Sequence, residues 1–109
     1  MPQEALPFEV RQAIHRLGAN LRTARLRRRM SQEQLMKAAG VDRKTLYRLE
    51  NGLPGVSLGT AYSVLWALGL LPTAQALADP DQDEHGKLLE RARLPKRARE
   101  SVAALDNNF

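Results

Sequence analysis

Three cationic side chains fall within two helical turns of one short segment, KAAGVDRKTLYRLENG, which spans residues 37–52. Arg43 and Lys44 stand near its centre, and Arg48 follows Lys44 by four residues, so that on a helix Lys44 and Arg48 share one face. Arginine and lysine carry only hydrogen-bond donors, which match guanine O6 and N7 and the oxygens of phosphate. Tyr47 lies between them in sequence and can contact a thymine methyl or a phosphate. The segment is therefore suited to binding a nucleic acid.

Positive charge is concentrated in the same part of the chain. The net charge is +5, but residues 11–48 carry eleven bases and two acids, whereas residues 49–90 carry one base and six acids. A basic block of this kind attracts a polyanion. The alternative, a solvated face with scattered counterions, would require more acids than Glu33 and Asp42. The charge pattern favours nucleic acid as a partner.

Catalytic and metal-binding residues do not form a recognisable pattern. His15 lies in an arginine-rich segment and His85 in an acidic one, and neither has a nucleophile or orienting partner nearby in sequence. The chain has no cysteine, which excludes disulfides, thiol nucleophiles and thiolate zinc sites. The acids near residue 80 lack the glycine and terminal glutamate of a calcium loop; they are Asp79, Asp81, Asp83 and Glu84. We therefore predict neither enzymatic activity nor a cofactor.

The apolar segments are short. The longest apolar run, residues 64–71, is well below the roughly 20 residues that a membrane span requires. The beginning, MPQEALPFEV, has no basic region followed by an apolar stretch, so it does not read as a secretory signal. These features predict a cytoplasmic protein that does not bind membranes.

The first predicted helix begins near Pro7 and has apolar residues at steps of three or four, with arginines on its other face. This apolar stripe consists of Val10, Ile14, Leu17, Leu21 and Ala24. Gly18 interrupts the pattern at a cost of about 1 kcal/mol relative to alanine. The sequence therefore leaves open a kink or two shorter helices at that position.

Two short helices are predicted next, separated by a glycine. Ser31 and Gln34 form a capping-box pattern before a helix with Leu35, Ala38 and Ala39 on its inner face, and Gly40 ends it. Asp42 caps the following helix, in which Leu46 and Leu49 point inward, and Asn51-Gly52 ends that helix. Two short helices joined in this way are typical of a helix-turn-helix.

The remaining pattern predicts two more helices and a tail. Ser57 caps a fourth helix, and its inward residues are Leu58, Ala61, Val64, Leu65 and Leu68. Pro72 can open a fifth helix that runs as far as Asp79-Pro80. The charged pieces DQDEHGKLLERARL and KRARESVAALDNNF, divided at Pro95, have too little apolar surface to fold alone. The predicted fold is all-α: a four- to five-helix helix-turn-helix domain over residues 8–79 and a charged tail over residues 80–109.

Residues 31–52 resemble the repressor-type helix-turn-helix of the phage-repressor-like (Cro-like, XRE) family. The matching pattern is S-Q-x-x-L-x-x-A-x-G-V-x-x-x-T-L-x-R-L-E-N-G, and the similarity extends over residues 17–70, about half the chain. The resemblance implies a sequence-specific DNA-binding regulator whose second helix enters the major groove. It implies a repressor that binds a palindromic operator in double-stranded DNA as a homodimer.

The same resemblance implies roles for individual residues. Base contacts are expected from Arg43, Lys44, Tyr47 and Arg48, and phosphate contacts from Ser31, Gln32 and Asn51, of which Ser31 and Asn51 also suit helix ends. Many relatives carry lysine or arginine in the loop that follows, whereas this chain has Leu-Pro-Gly at residues 53–55. We expect the missing phosphate contacts to be supplied by Arg22, Arg28 and Arg29.

Arg25 and Glu50 match positions that the family usually joins in an ion pair. The resemblance therefore implies a structural role for both residues, in which the pair holds the recognition helix against the first helix. A phosphate contact is a second role open to Arg25.

A second stripe on the fourth helix consists of Tyr62, Trp66 and Leu70. Aromatic residues are enriched at protein interfaces, so this stripe predicts a dimer interface. The alternative is that the fifth helix or the tail covers it. A dimer would place two recognition helices about 34 Å apart, which matches successive major grooves.

A narrower similarity and a rival function complete the predictions. The short domain with the tail DPDQDEHGKLLERARLPKRAR is similar to HipB-type antitoxins, which implies a HipA-like kinase toxin as a partner. The rival is a protein-binding adaptor, in which the helical domain bridges other proteins and the basic first helix binds acidic surfaces or RNA. The adaptor would not need Arg43, Lys44 and Arg48 at groove-facing spacing.

Overall fold

The structure is a computed structural model that describes residues 5–93, and it contains α-helices, short 3-10 segments and no strand in that part of the chain. The prediction of an all-α fold is confirmed. The chain divides into two compact units, one ending at Gln75 and one beginning at Ala76. The first unit ends a few residues before Asp79, where the sequence predicts the domain boundary. Within residues 5–93, no helix combines the length and the apolar character that crossing a membrane demands.

The first unit contains five helices: α1 (Phe8–Arg27), α2 (Gln32–Ala39), α3 (Arg43–Glu50), α4 (Leu58–Ala67) and α5 (Leu71–Ala74). In it α1 packs against α3, α2 packs against both α3 and α4, and α4 packs against α5. The second unit contains a 3-10 turn at Pro80–Gln82 and a sixth helix, α6 (Glu84–Arg93).

The core of the first unit draws on every long element. Four side chains are almost completely buried, and each comes from a different helix: Leu21 from α1, Leu35 from α2, Leu46 from α3 and Val64 from α4. Burying one leucine or valine side chain contributes about 1.5–3 kcal/mol, so these four residues hold the bundle together. The predicted inward positions Leu21, Leu35, Leu46 and Val64 are confirmed.

Three predicted inward positions are wrong. Val10 lies in the first turn of α1 and is exposed, and Ala38 is exposed on α2. Leu58 is 69% exposed because it is the first residue of α4, ahead of the turn that reaches the core. The apolar stripe of α1 is buried only from Gly18 onward, at Gly18, Leu21 and Ala24.

Local capping explains where α2, α3 and α4 begin. Ser31 Oγ accepts a hydrogen bond from the Gln34 backbone N–H, and Gln34 Oε1 accepts one from the Ser31 N–H, so the predicted capping box is formed. Asp42 caps α3 through Thr45 N–H, and Ser57 caps α4 through Thr60 N–H. These caps satisfy backbone donors that the first turn of each helix leaves unpaired.

α5 is shorter than the sequence predicts. It ends at Ala74, and the Gln75 N–H donates to the Pro72 carbonyl with the tighter spacing of a 3-10 turn. Ala78 has a φ of +57°, a left-handed conformation that a right-handed helix cannot include. The helix therefore stops before the predicted end at Asp79.

The second unit forms one helix from the charged tail. Asp83 Oδ1 accepts a hydrogen bond from Gly86 N–H at the start of α6, and Lys87 Nζ donates to the Asp81 carbonyl. No described residue of α6 is buried, and Leu88 and Leu89 are both exposed. The second predicted tail segment, KRARESVAALDNNF, lies outside the described residues.

Candidate nucleic-acid interface

α3 presents its cationic residues on the side opposite the core. Leu46 and Leu49 are buried on the inner face of this helix. On its outer face, Tyr47 is 57% exposed and the three cationic residues are also exposed: Arg43, Lys44 and Arg48. An α-helix fits into a major groove, which is about 12 Å wide. The structure thus places all four predicted base-contacting residues at the surface, on one short helix with a buried back.

A close backbone approach holds the end of α3 against α1. A Cβ atom added to Gly18 would lie 2.8 Å from Gly52 N and 2.9 Å from the Glu50 carbonyl oxygen, and would overlap the Leu49 carbonyl oxygen. Gly52 is similarly close to the backbone of His15. Because only glycine lacks a Cβ, the two helices can meet at this distance. Gly18 therefore marks a packing contact inside one continuous helix, Phe8–Arg27, and the two shorter helices that the sequence left open do not occur.

A buried ion pair joins the same two helices. Arg25 Nε donates to Glu50 Oε2 at 2.7 Å, and Arg25 Nη2 donates to Glu50 Oε1 at 3.0 Å. Arg25 Nη1 also donates to the Met30 carbonyl at 3.0 Å, and Gln32 Nε2 donates to Glu50 Oε1 at 3.4 Å. The network connects α1, the loop before α2, the start of α2 and the end of α3. It fixes the orientation of α3 relative to the rest of the unit.

A second ion pair lies on the outer side of the two short helices. Arg43 Nη2 donates to Glu33 Oε1 at 2.8 Å, and both side chains are largely exposed. Sequence reasoning considered Glu33 only as a counter-charge and missed this contact. Ten residues separate the two in sequence, and helical periodicity relates only residues three or four apart, so no sequence signal indicated it.

The N-terminal cap of α3 is a carboxylate with a perturbed pKa. Hydrogen bonds from the side chain and backbone N–H of Thr45, assisted by the positive charges of Lys44 and Arg48, hold the pKa of Asp42 below its ordinary value. The charged form of Asp42 therefore caps the helix that carries the cationic residues.

The part of the chain that contains α2 and α3 matches a known protein family. A family model described as a helix-turn-helix domain matches residues 16–78, more than half of the chain. The chain belongs to the helix-turn-helix domain family. No curated protein and no solved structure matches it. In this chain, α2 and α3 are the two helices of the helix-turn-helix. In DNA-binding helix-turn-helix proteins, the second helix of the pair enters the major groove.

The predicted phosphate-contacting residues of the helix-turn-helix domain lie on or beside α1, α2 and α3, and they differ in exposure and in the hydrogen bonds that they make. Ser31 and Asn51 are exposed, and both side chains already make local hydrogen bonds: Ser31 in its capping box and Asn51 to the Tyr47 carbonyl. Gln32 is half-buried and contacts Glu50. The candidate arginines are exposed on or just after α1, and one of them, Arg28, donates to the Ala24 carbonyl; they are Arg22, Arg28 and Arg29.

The predicted dimer stripe of the helix-turn-helix domain separates into two kinds of residue. Tyr62 and Leu70 are half-buried and pack against the core. The prediction that Leu70 continues the stripe of the fourth helix is wrong, because α4 ends at Ala67 and Gly69 adopts a left-handed φ of +76° before Leu70. Trp66, by contrast, is 63% exposed. The described part of the chain thus leaves the tryptophan, and only part of the tyrosine and leucine, available to a partner.

Within residues 5–93 there is no cluster of three or more histidine, cysteine, aspartate or glutamate residues that could hold a metal ion.

Proposed function

We propose that this chain is a sequence-specific regulator of transcription that binds double-stranded DNA, acts as a repressor and has no enzymatic activity. One observation carries the proposal: α3 exposes Arg43, Lys44, Tyr47 and Arg48 while its other face is packed into the core and tied to α1. A rigid helix with cationic donors on its free face is the arrangement that reads base edges in a major groove.

Within this proposal, the residues divide into two groups. Arg43, Lys44 and Arg48 donate to guanine O6 and N7, where a good bidentate contact discriminates by about 1–3 kcal/mol, and Tyr47 contacts a thymine methyl or a phosphate. Phosphate contacts position the domain without reading sequence. We assign that role to a set around the start of α2 and the end of α3, with support from α1: Ser31, Gln32 and Asn51, then Arg22, Arg28 and Arg29.

The proposal includes a homodimer on a palindromic operator. The exposed indole of Trp66, with the accessible parts of Tyr62 and Leu70, supplies the apolar contact surface. Two recognition helices about 34 Å apart would then enter successive major grooves on one face of the DNA. A dimer that occupies such an operator excludes polymerase.

A narrower proposal is that the chain is the cytoplasmic antitoxin of a HipA-like kinase toxin and represses its own operon. The exposed Leu88 and Leu89 on α6, a helix with no buried residue, support it, because a ten-residue helix is marginal in water unless it packs against something. Coexpression of the chain with the product of the neighbouring open reading frame tests this proposal. A stable complex with a kinase-like protein is the expected result.

Selection of bound sites from a random duplex library tests the central proposal. We expect a palindromic consensus, because each protomer of a dimer reads one half-site. Binding to that consensus should weaken with a slope of about −0.9 in log affinity per log salt for each phosphate neutralised. Recovery of no consensus, with equal weak binding to every duplex in physiological salt, would overturn the proposal.

The rival function, a protein-binding adaptor, predicts a different response to mutation. The exposed arginines along α1 could bind acidic proteins or RNA without any contribution from α3. Lys44→Ala separates the two functions. A DNA reader should lose about 5- to 150-fold of its preference for the consensus, which corresponds to about 1–3 kcal/mol for one base contact. An adaptor should bind its partner as tightly as before. Arg11→Ala, which removes an exposed cation from α1, is the matched control.

A further inference from the structure

The ion pair between Glu33 and Arg43 connects the two helices of the helix-turn-helix on their exposed side. Arg43 Nη2 donates to Glu33 Oε1 at 2.8 Å. Glu33 lies in the first turn of α2 and Arg43 is the first residue of α3. The contact therefore spans the turn that sets the angle between the two helices.

This ion pair is too exposed to contribute much to folding. The side chains of Arg43 and Glu33 are 61% and 67% exposed, and ion pairs of this kind typically contribute only about 0–1 kcal/mol. The fold is held instead by the buried Arg25–Glu50 pair and by the core. The pair lies beside the face that we propose reads bases, so we expect it to affect DNA binding more than the stability of the fold.

Arg43 retains most of its hydrogen-bonding capacity while it is paired. A guanidinium has five N–H donors in a planar fork. Within residues 5–93, the Arg43 side chain makes one hydrogen bond, from Nη2 to Glu33. The carboxylate thus restricts the rotation of the guanidinium and leaves Nε and Nη1 free to meet a second acceptor, such as a guanine edge.

Glu33 also places negative charge where the protein would meet phosphates. Residues 11–48 contain eleven bases and two acids, Glu33 and Asp42, and Asp42 is used as the cap of α3. Glu33 has no capping hydrogen bond of this kind. An exposed carboxylate near the DNA backbone repels phosphates and weakens binding to every sequence, unless another contact compensates for the repulsion. Discrimination against wrong partners is commonly achieved by such a repulsive element.

We propose that Glu33 is a specificity-determining positioning residue, which rests on the proposed DNA-binding function. It orients the Arg43 guanidinium toward one base pair and lowers the affinity for DNA in which that base pair is wrong. Repulsion between Glu33 and phosphate weakens binding to correct and wrong sites alike. Discrimination arises because the guanidinium that Glu33 holds in place donates to a guanine edge only on the correct site.

A double-mutant cycle on two duplexes tests this proposal. The full-length chain and the variants Glu33→Gln, Arg43→Ala and Glu33→Gln/Arg43→Ala are titrated at one salt concentration against the selected consensus and against a scrambled duplex of equal length. Glu33→Gln should tighten binding to the scrambled duplex and reduce the consensus-to-scrambled affinity ratio about tenfold, within the about 1–3 kcal/mol of one base contact. In the Arg43→Ala background, Glu33→Gln should leave the ratio unchanged. Glu9→Gln, which removes an exposed carboxylate from α1 that forms no ion pair within residues 5–93, should leave the ratio unchanged in both backgrounds.

Three results from the variants would overturn the inference. One is that Glu33→Gln strengthens binding to both duplexes by the same factor, because Glu33 would then act through net charge alone. Another is that Glu33→Gln lowers the ratio equally with and without Arg43, because Glu33 would then not act through Arg43. The third is an unchanged affinity of Glu33→Gln for both duplexes while the wild-type chain still prefers the consensus, in which case the proposed function survives. A wild-type chain that does not prefer any consensus refutes the proposed function itself, and the inference with it.

Discussion

The guanidinium of Arg25 and the carboxylate of Glu50 form a bidentate, buried ion pair that ties α1 to the end of α3. Its two hydrogen bonds measure 2.7 and 3.0 Å, and both residues are buried. In the described residues no buried side-chain nitrogen or oxygen is left without a hydrogen-bond partner. The polar atoms of the pair are therefore satisfied inside the domain, and the pair fixes the helix that we propose reads DNA.

Removal of one partner of this pair should destabilise the domain strongly. We expect Arg25→Ala or Glu50→Ala to lower the free energy of unfolding by about 3–5 kcal/mol, because the remaining charge is left buried without its partner. The double variant Arg25→Met/Glu50→Leu should lose less than either single variant, since it leaves no buried charge. Chemical denaturation followed by circular dichroism measures all three. A loss below about 1 kcal/mol in the single variants would show that water reaches the remaining charge.

Gly18→Ala should destabilise the domain although alanine favours helices. The added Cβ would overlap the Leu49 carbonyl oxygen, and backbone atoms cannot move aside as a side chain can. We expect the free energy of unfolding to fall by about 1–3 kcal/mol, as for other overpacked sites. Thermal and chemical denaturation measure the change.

Gly59→Ala is the matched control for Gly18→Ala. Gly59 is also helical, in the first turn of α4, and an added Cβ there meets no other atom within 4 Å. This variant should raise the free energy of unfolding by about 0.4–1 kcal/mol, because alanine restricts the unfolded chain. Equal effects of the two substitutions would contradict the close approach of α1 to α3.

The pKa of Asp42 should respond to Thr45 more than to nearby charge. The hydrogen bond from the Thr45 side chain is the largest cause that lowers this pKa, and the charge of Lys44 is a smaller one. We therefore expect Thr45→Val to raise the pKa of Asp42 toward its ordinary value, and Lys44→Met to raise it less. Carboxyl carbon chemical shifts measured across a pH titration give both values.

The lowered pKa of Asp42 also sets the pH range in which the cap stabilises α3. Folding favours the charged carboxylate, so its contribution is fully present above the unfolded pKa near 3.8. It is lost as the pH falls through the lower pKa of the folded chain. In Asp42→Asn the cap should show no such loss. A pKa for Asp42 at or above the ordinary value would contradict the capping contact.

Trp66→Ala should weaken the dimer that we propose without destabilising the fold. The indole is 63% exposed, so its removal leaves no cavity in the core, unlike truncation of the half-buried Tyr62 or Leu70. We expect sedimentation equilibrium to show a higher dimer dissociation constant, with an unchanged unfolding transition. The wild-type chain has one tryptophan, so its emission should shift to shorter wavelength as dimers form.

Leu58→Ala is the control for the Trp66 experiment. Leu58 lies on the same helix and is comparably exposed, at 69%. We expect this variant to dimerise as the wild-type chain does. Dissociation caused by Leu58→Ala and not by Trp66→Ala would place the dimer surface at the start of α4 instead.

The helices and their limits follow from short-range rules, which explains why they were predictable. The capping box at Ser31 and the Asp42 cap act through hydrogen bonds between residues three apart. The inward positions Leu46 and Leu49 and the outward positions Lys44 and Arg48 follow from the period of 3.6 residues. A pattern of this kind requires no knowledge of what packs against the helix.

The errors arose where exposure depends on a neighbouring element. Val10 and Leu58 continue apolar stripes, but they lie in the first turns of α1 and α4, where their side chains remain exposed. The stripe of α1 gives no sign of this, since apolar periodicity predicts a face and not the extent of its burial. Gly18 was misleading for a related reason: the backbone that approaches it belongs to α3, more than thirty residues later.

The sequence by itself determined the local architecture: an all-α chain, two short capped helices around Gly40, and a cationic outer face on the second. These properties depend on hydrogen bonds and periodicity within a few residues. Only the tertiary structure decided how Arg25 meets Glu50, that Gly18 forms a backbone contact, and that Glu33 holds Arg43. Each of these contacts joins residues ten or more positions apart, and their distance in space depends on how whole helices pack, which no local pattern encodes.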